Sequence, residues 1–269
     1  MEMKNFAMAA LAAMILPTPA FAAVELIKNG SFENNTVSDG TKQWIFYAGL
    51  ADWSYQNRID QYNFQHNLTF IATPGTADVQ TGSGLTVYGP FPKTSPDGGD
   101  FILADADTDF NGTLYQTVKG LTVGEKYTLT FWQAAGQQID RVGPTTEQWK
   151  VSFGNDVQYS DKFLLAEGAV GDWQKQSMTF VASATSQVLT FLAEGTPTGQ
   201  PPIAMLDGVS LKAYEPPVGT VPEPSTWAMM IMGFGAVAGV TFTLRHARTK
   251  APSFPNRKVA RSIPIYFRP

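Results

Sequence analysis

Residues Lys126–Gln133 read KYTLTFWQ. Along this stretch Tyr127, Leu129 and Phe131 point one way and Thr128, Thr130 and Trp132 the other, the two-residue period of a strand with one face in a core. The first set is the expected core face. Trp149, Val151 and Phe153 in WKVSF share a face in the same way and are expected in the core too. Working outward, short alternating or apolar runs separated by Gly, Pro, Asn and Asp predict further strands. They are Glu25–Lys28, Trp44–Tyr47, Asp100–Ala104, Gly112–Val118, Gln148–Phe153, Gln174–Ala182, Gln187–Ala193 and Ile203–Ala213. No long helical period interrupts them and no fixed-length repeat occurs. The expected body, residues 23–214, is all-β, an antiparallel β-sandwich.

Both ends of the chain differ from this body. Lys4, the apolar run Phe6–Leu16, the Pro17-Thr18-Pro19 break and Ala20-Phe21-Ala22 form a secretory signal peptide over residues 1–22. Its apolar run is too short to span a bilayer. At the other end a linker, residues 215–221, leads to VPEPSTWA at Val221–Ala228 and then to a charge-free stretch, Trp227–Leu244. Eighteen residues at helical rise cover about 27 Å, the span expected of one transmembrane helix. Behind it stand seven basic residues, Arg245, Arg248, Lys250, Arg257, Lys258, Arg261 and Arg268, and no acid. Such a cluster holds the tail on the cytoplasmic side and the body outside. Pro222, Glu223, Pro224, Trp227 and Ala228, followed by the apolar run and Arg245, resemble the PEP-CTERM sorting signal of Gram-negative bacteria. The resemblance covers residues 222–250 and implies an inner-membrane precursor processed by an exosortase and delivered to the cell surface or matrix. Such signals usually stop soon after the basic cluster, whereas a basic, Pro-rich tail continues here through residues 251–269, expected to be disordered.

Composition limits what the body can do. Without the signal peptide and the basic tail, the chain keeps 11 of its 19 Lys and Arg and, setting Glu2 and Glu223 aside, 21 of its 23 Asp and Glu. So acidic a body is not a nucleic-acid partner. There is no cysteine, which excludes thiol catalysis and thiolate-bound zinc and requires a core that holds without disulfides.

Asn29-Gly30-Ser31-Phe32-Glu33 and Leu206-Asp207-Gly208-Val209-Ser210-Leu211 look like the two ends of galactose-binding-like jelly rolls, the fold of many carbohydrate-binding modules. Leu114–Val118 followed by Gly120–Leu129 resembles the middle signature of that family. The resemblance implies an antiparallel jelly-roll sandwich, and it makes Glu33 and Asp207 candidate ligands of a structural Ca²⁺. A hard cation that takes six to eight oxygens suits an acidic body. As plain residues, Glu33 reads as a solvated turn acid and Asp207 as a bulge acid. Asp105-Ala106-Asp107-Thr108-Asp109-Phe110-Asn111-Gly112 has acids at alternate positions. It lacks the glycine and glutamate of a calcium-binding EF-hand loop, because Phe110 and Gln116 stand there, and it reads as a hydrated acidic turn.

Trp44, Trp53, Tyr55, Tyr62 and Trp132 exceed what the core faces require. Trp132, Trp44, Trp53 and Tyr55 are the candidate ligand rings, since sugars stack their C–H faces on exposed aromatics. Catalytic motifs are absent: His66 stands alone, His246 lies in the tail, and no nucleophile elbow or phosphate loop occurs. The expected function is therefore non-enzymatic, a surface or matrix protein that binds a glycan or exopolysaccharide. The alternatives are a structural matrix component without a ligand pocket, and a glycosidase using two of Asp100, Asp105 and Asp107.

Overall fold

The computed structural model describes residues 23–59, 65–81 and 85–215; at 59, 65 and 66 it describes the backbone only. The signal peptide, Tyr62, the sorting motif, the 227–244 helix and the 251–269 tail lie outside the described residues. The chain divides into two compact units, and the second, Pro216–Pro269, lies wholly outside them. No helix among the described residues is long and apolar enough to cross a membrane.

The body is an all-β, two-sheet antiparallel sandwich. Its strands are β1 (Lys42–Trp44), β2 (Ser54–Gln56), β3 (Arg58–Ile59), β4 (Gln65–His66), β5 (Thr69–Ala72), β6 (Phe101–Asp105), β7 (Thr113–Lys119), β8 (Lys126–Gln137), β9 (Thr145–Phe153), β10 (Asp156–Tyr159), β11 (Phe163–Leu165), β12 (Gly171–Val181), β13 (Ser186–Thr196) and β14 (Pro202–Ala213). One sheet runs β1-β5-β6-β14-β8-β12 and the other β10-β9-β13-β7-β2, with β11 also on β9; β3 and β4 form a separate ribbon. The alternation in KYTLTFWQ and WKVSF packs as expected, with Tyr127, Leu129, Phe131, Trp149, Val151 and Phe153 all in the core between the sheets. There the Trp149 indole N–H donates to the Met205 carbonyl at 3.0 Å, so the ring is both packed and satisfied.

A second core lies on the outer face of the first sheet. Phe70, Phe101, Leu103, Ala134, Ile203 and Met205 meet Ala77, Leu85, Val87 and Phe91 of the connection between β5 and β6. This strap explains why β5 and β6 are buried at every position rather than at alternate ones. Lys42 ties it down: its buried ammonium donates to the carbonyls of Thr76 (2.9 Å) and Val79 (2.6 Å) and to the Thr86 hydroxyl (3.2 Å). Burial pushes that lysine down to about 8.

Two expected strands differ. Glu25–Lys28 forms no strand. Leu26 donates to the Leu211 carbonyl (3.0 Å), but the Leu211 N–H goes to the Glu25 carboxylate (2.8 Å), so a side chain takes the place of a ladder partner. Trp44–Tyr47 is a strand only to Trp44, and Ile45–Tyr47 is a 3₁₀ turn.

Candidate functional site

The two ends of the jelly-roll pattern meet in space. Val209 of β14 donates to the Gly30 carbonyl at 2.9 Å. Gly30 lies so close that a methyl group there would run into the Val209 carbonyl oxygen. The Asn29 side chain staples the turn, its Oδ1 accepting from Asn34 N (3.0 Å) and its Nδ2 donating to the Ala51 carbonyl (2.9 Å). Phe32 accordingly turns into the core at φ 58° and Glu33 turns out.

Asp207 sits on a β-bulge, where the register of β14 against β8 shifts between Asp207 and Ser210 and Gly208 takes φ 57°. Its carboxylate is fully buried. It accepts from the Ser95 hydroxyl, and from Gly208 N at 2.7 Å. Glu33 reaches the same loop: its Oε1 accepts Asp100 N at 2.7 Å, and its carboxylate lies over Gly99, where a side chain would overlap it. Burial pushes the Asp207 carboxyl up to about 8, and the charges of Asp97 and Glu33 add to the rise. Desolvation and the charges of Asp100 and Asp97 raise Glu33 as well. The fold thus gathers Glu33, Asp97, Asp100 and Asp207 from three distant parts of the chain. No group of three or more His, Cys, Asp or Glu side chains among the described residues is arranged to hold a metal by itself. Any cation bound there would draw on Glu33 and Asp207 together with backbone and hydroxyl oxygens. Ser95 and Asp97 were missed by sequence reasoning and Asp100 was read only as a possible glycosidase acid, although SPDGGD at Ser95–Asp100 is an acid-bearing turn of the kind that supplies such oxygens.

Trp132 joins this cluster. It lies opposite Asp207 across the β14–β8 pair, and a Cβ on Gly208 would come within 2.9 Å of its ring. The Lys175 ammonium stands 5.8 Å from the ring centroid.

Trp44 and Tyr55 stand elsewhere, linked by a residue the pattern did not single out. Phe46 stacks on Trp44 (centroids 5.9 Å apart) and meets Tyr55 edge-on (5.2 Å), while Tyr47 lies 6.4 Å from Phe46. Tyr55 is 39% exposed and Tyr47 74%. The strip borders a hollow of about 140 Å³ lined by Ile45, Phe46, Gly49, Leu50, Trp53, Tyr55 and Leu114. Trp53 is not a free platform. It is 7% exposed, packs on Phe32 and Phe191, and donates its indole N–H to the Asn29 carbonyl at 2.8 Å, so it belongs to the core and only floors the hollow.

The acidic turn is corrected too, because its first two acids are buried rather than hydrated. Asp105 accepts Asp107 N (2.8 Å), and Asp107 accepts Asp109 N (2.9 Å) and Gly199 N (2.6 Å). These acids cap backbone N–H groups, which is a structural duty. Asp100 is held by Asn35 Nδ2 at 2.7 Å.

Among known families, the model described as HpiC1 cyclase matches residues 24–192. The chain belongs to the HpiC1 cyclase-like family. The match takes in Glu33, Trp44, Tyr55 and Trp132 and stops within β13, short of Asp207. The PEP-CTERM protein-sorting motif matches residues 220–248, which makes this an exported, cell-surface-associated protein subject to exosortase processing. No curated protein matches the chain. Among solved structures the body is similar to TmCBM61 in complex with β-1,4-galactotriose, at 14% identity over 71% of this chain and 100% of that one, TM-score 0.40. The CBM22-1 xylan-binding domain of Paenibacillus barcinonensis Xyn10C is similar at 13% identity over 73% and 99%, TM-score 0.36. The K3 cleaved adhesin domain of Lys-gingipain from Porphyromonas gingivalis is similar at 16% over 71% and 100%, TM-score 0.39.

Proposed function

We propose that this is a non-enzymatic glycan-binding protein, carried to the cell surface by its sorting motif after insertion through the 227–244 helix. The observation that carries the reading is the aromatic strip Trp44–Phe46–Tyr55–Tyr47 at the edge of the sandwich. Rings packed on one another and on core neighbours give a rigid surface for the C–H faces of sugar rings, at little entropic cost on binding. A glycan array probed with the full-length protein in detergent tests it. Retention on a defined set of saccharides, with no release of reducing ends, is the expected result. Retention on none, or hydrolysis of those retained, overturns it.

Calcium belongs to the same proposal. Glu33 and Asp207 supply carboxylate oxygens, and the Ser95–Asp100 turn supplies hydroxyl and carbonyl oxygens, a donor set of the hard type this ion takes. Bound there, the ion would neutralise the mutual repulsion of the acids and pin the turn to β14. Chelator-treated protein should therefore gain melting temperature on adding millimolar Ca²⁺, with about 2.7 kcal/mol expected at a hundredfold excess over Kd. Asp207→Asn should abolish the gain. An unchanged melting temperature in the unsubstituted protein contradicts the site.

A second reading, an acid-assisted cyclase, is favoured by the family's description and by the Asp207 carboxyl, which burial pushes up to about 8 beside Trp132. The two readings separate at that residue. A calcium ligand is ionised, whereas a proton donor must keep its proton, so a calcium-dependent gain in stability that needs Asp207 counts against Asp207 as the acid of such a cyclase.

A further inference from the structure

A further cleft of the body is lined by neither cluster, and the sequence pattern did not single it out. It has a volume of about 400 Å³ and is lined by Leu26, Lys28, Asp52, Ser54, Tyr115, Gln116, Thr117 and Lys119. Its walls come from the N-terminal segment, the approach to β2 and the outward face of β7. Gln116 fixes them in place. That buried side chain accepts Lys28 N at 2.9 Å and donates to the carbonyls of Lys28 (2.9 Å) and Asp52 (3.0 Å). The cleft is therefore pre-formed, and a ligand need not order it.

Its charge runs against the rest of the molecule. Lys28 and Lys119 are both exposed, and neither takes part in the ion pairs found among the described residues, Lys150–Glu194 and Lys212–Glu25. Two lysines and one acid, Asp52, thus line the cleft, in a body that carries nearly two acids per base. The same cleft is lined by a partly exposed ring, Tyr115, placed opposite Ser54 on β2 and Thr190 on β13. The row continues to Ser152 on β9, opposite Thr190. A line of hydroxyl-bearing side chains therefore leads from the cleft across the outer face of the second sheet.

We propose that this cleft binds an acidic saccharide, a sugar residue bearing a carboxylate within a longer chain. The inference rests on the reading of the body as a glycan binder and assigns it a second, charge-selective site. The lysines would take the carboxylate, Tyr115 and Leu26 the C–H face of the ring, and Ser54, Thr117 and Asp52 the sugar hydroxyls. A neutral saccharide would leave the ammonium groups without a partner. A nucleic acid would meet the acidic remainder of the body.

The test is binding of oligogalacturonate and of neutral galactan to the full-length protein in detergent, for the unsubstituted chain, Lys28→Gln/Lys119→Gln and Lys28→Arg/Lys119→Arg. The Gln pair should lose tenfold or more in affinity for oligogalacturonate and nothing for galactan, and the Arg pair should keep both. Raising salt from 50 to 500 mM should weaken only the acidic ligand. Unchanged oligogalacturonate binding in the Gln pair overturns the proposal, as does loss of both ligands together, since the cleft would then not read charge. Galactan binding without any oligogalacturonate binding removes this site alone. If the unsubstituted protein binds neither, the site falls together with the glycan-binding reading.

Discussion

Glu147→Gln should make the protein more stable at pH 8 by on the order of 4 kcal/mol and leave it almost unchanged at pH 4. Glu147 faces inward from β9 and is fully buried, and the Thr145 hydroxyl beside it only partly offsets that burial, since neither carboxylate oxygen has a partner in good hydrogen-bond geometry among the described residues. Burial pushes its carboxyl up to about 8 from an ordinary value of 4.5. Below pH 4.5 the group is protonated whether the chain is folded or not, and it costs nothing extra. Between 4.5 and 8 the unfolded chain releases the proton and the folded chain keeps it, so stability falls as pH rises through this window. Above 8 both forms are ionised and the fall ends. Glutamine keeps the shape and cannot ionise, so this part of the pH dependence disappears. Melting temperatures of both proteins at pH 4, 6 and 8 measure it. The curves should converge at low pH and separate by about 10 °C at pH 8. Parallel curves would show that Glu147 is solvated or paired in the folded protein.

Gly30→Ala should cost about 3 kcal/mol or more, because the new methyl group meets the Val209 carbonyl oxygen. Backbone, not a flexible side chain, stands in the way, so relief means moving β14 and losing the Val209 N–H to Gly30 hydrogen bond. Gly40→Ala is the control. Gly40 has φ 73° with nothing near its Cβ position, so it reports the left-handed backbone alone, roughly 1–2 kcal/mol. Chemical denaturation of the two variants measures the contrast. Equal losses would mean that the 29–33 turn is not pinned to β14 as described.

These two sites show what the sequence discloses and what it hides. Long half-buried strands were legible because one face alternates with the other, as in KYTLTFWQ and WKVSF. β8 nevertheless runs on to Gln137 and β9 begins at Thr145, since AAGQ is buried on both faces and TTE carries polar residues at its inward positions, so neither shows an apolar alternation. β5 was missed because the strap buries both its faces and leaves four residues without a period. The pattern marked Glu33 and Asp207, but nothing local brings Asp97 and Asp100 to them; that follows from the strap closing over the first sheet. Ring identity did not separate Trp53, whose indole is satisfied by Asn29 in the core, from Tyr55 at the rim. Phe46, which joins Trp44 to Tyr55, read as an ordinary strand residue until the chain turned at Ile45. The cleft of Lys28 and Lys119 was hidden for the same reason, as the two lysines are 91 positions apart and line one cleft only because Gln116 holds the N-terminal segment on β7.

The central claim, that the edge strip Trp44–Phe46–Tyr55 holds sugar, is tested most directly by calorimetric titration of a saccharide retained on the array into the unsubstituted protein and into Phe46→Ala/Tyr55→Ala. Both side chains lie at the rim rather than in the main core, so the variant should stay folded, which its melting curve checks. The account predicts at least a tenfold loss of affinity, about 1.4 kcal/mol, with the fold intact. Equal affinity in a folded variant would contradict it.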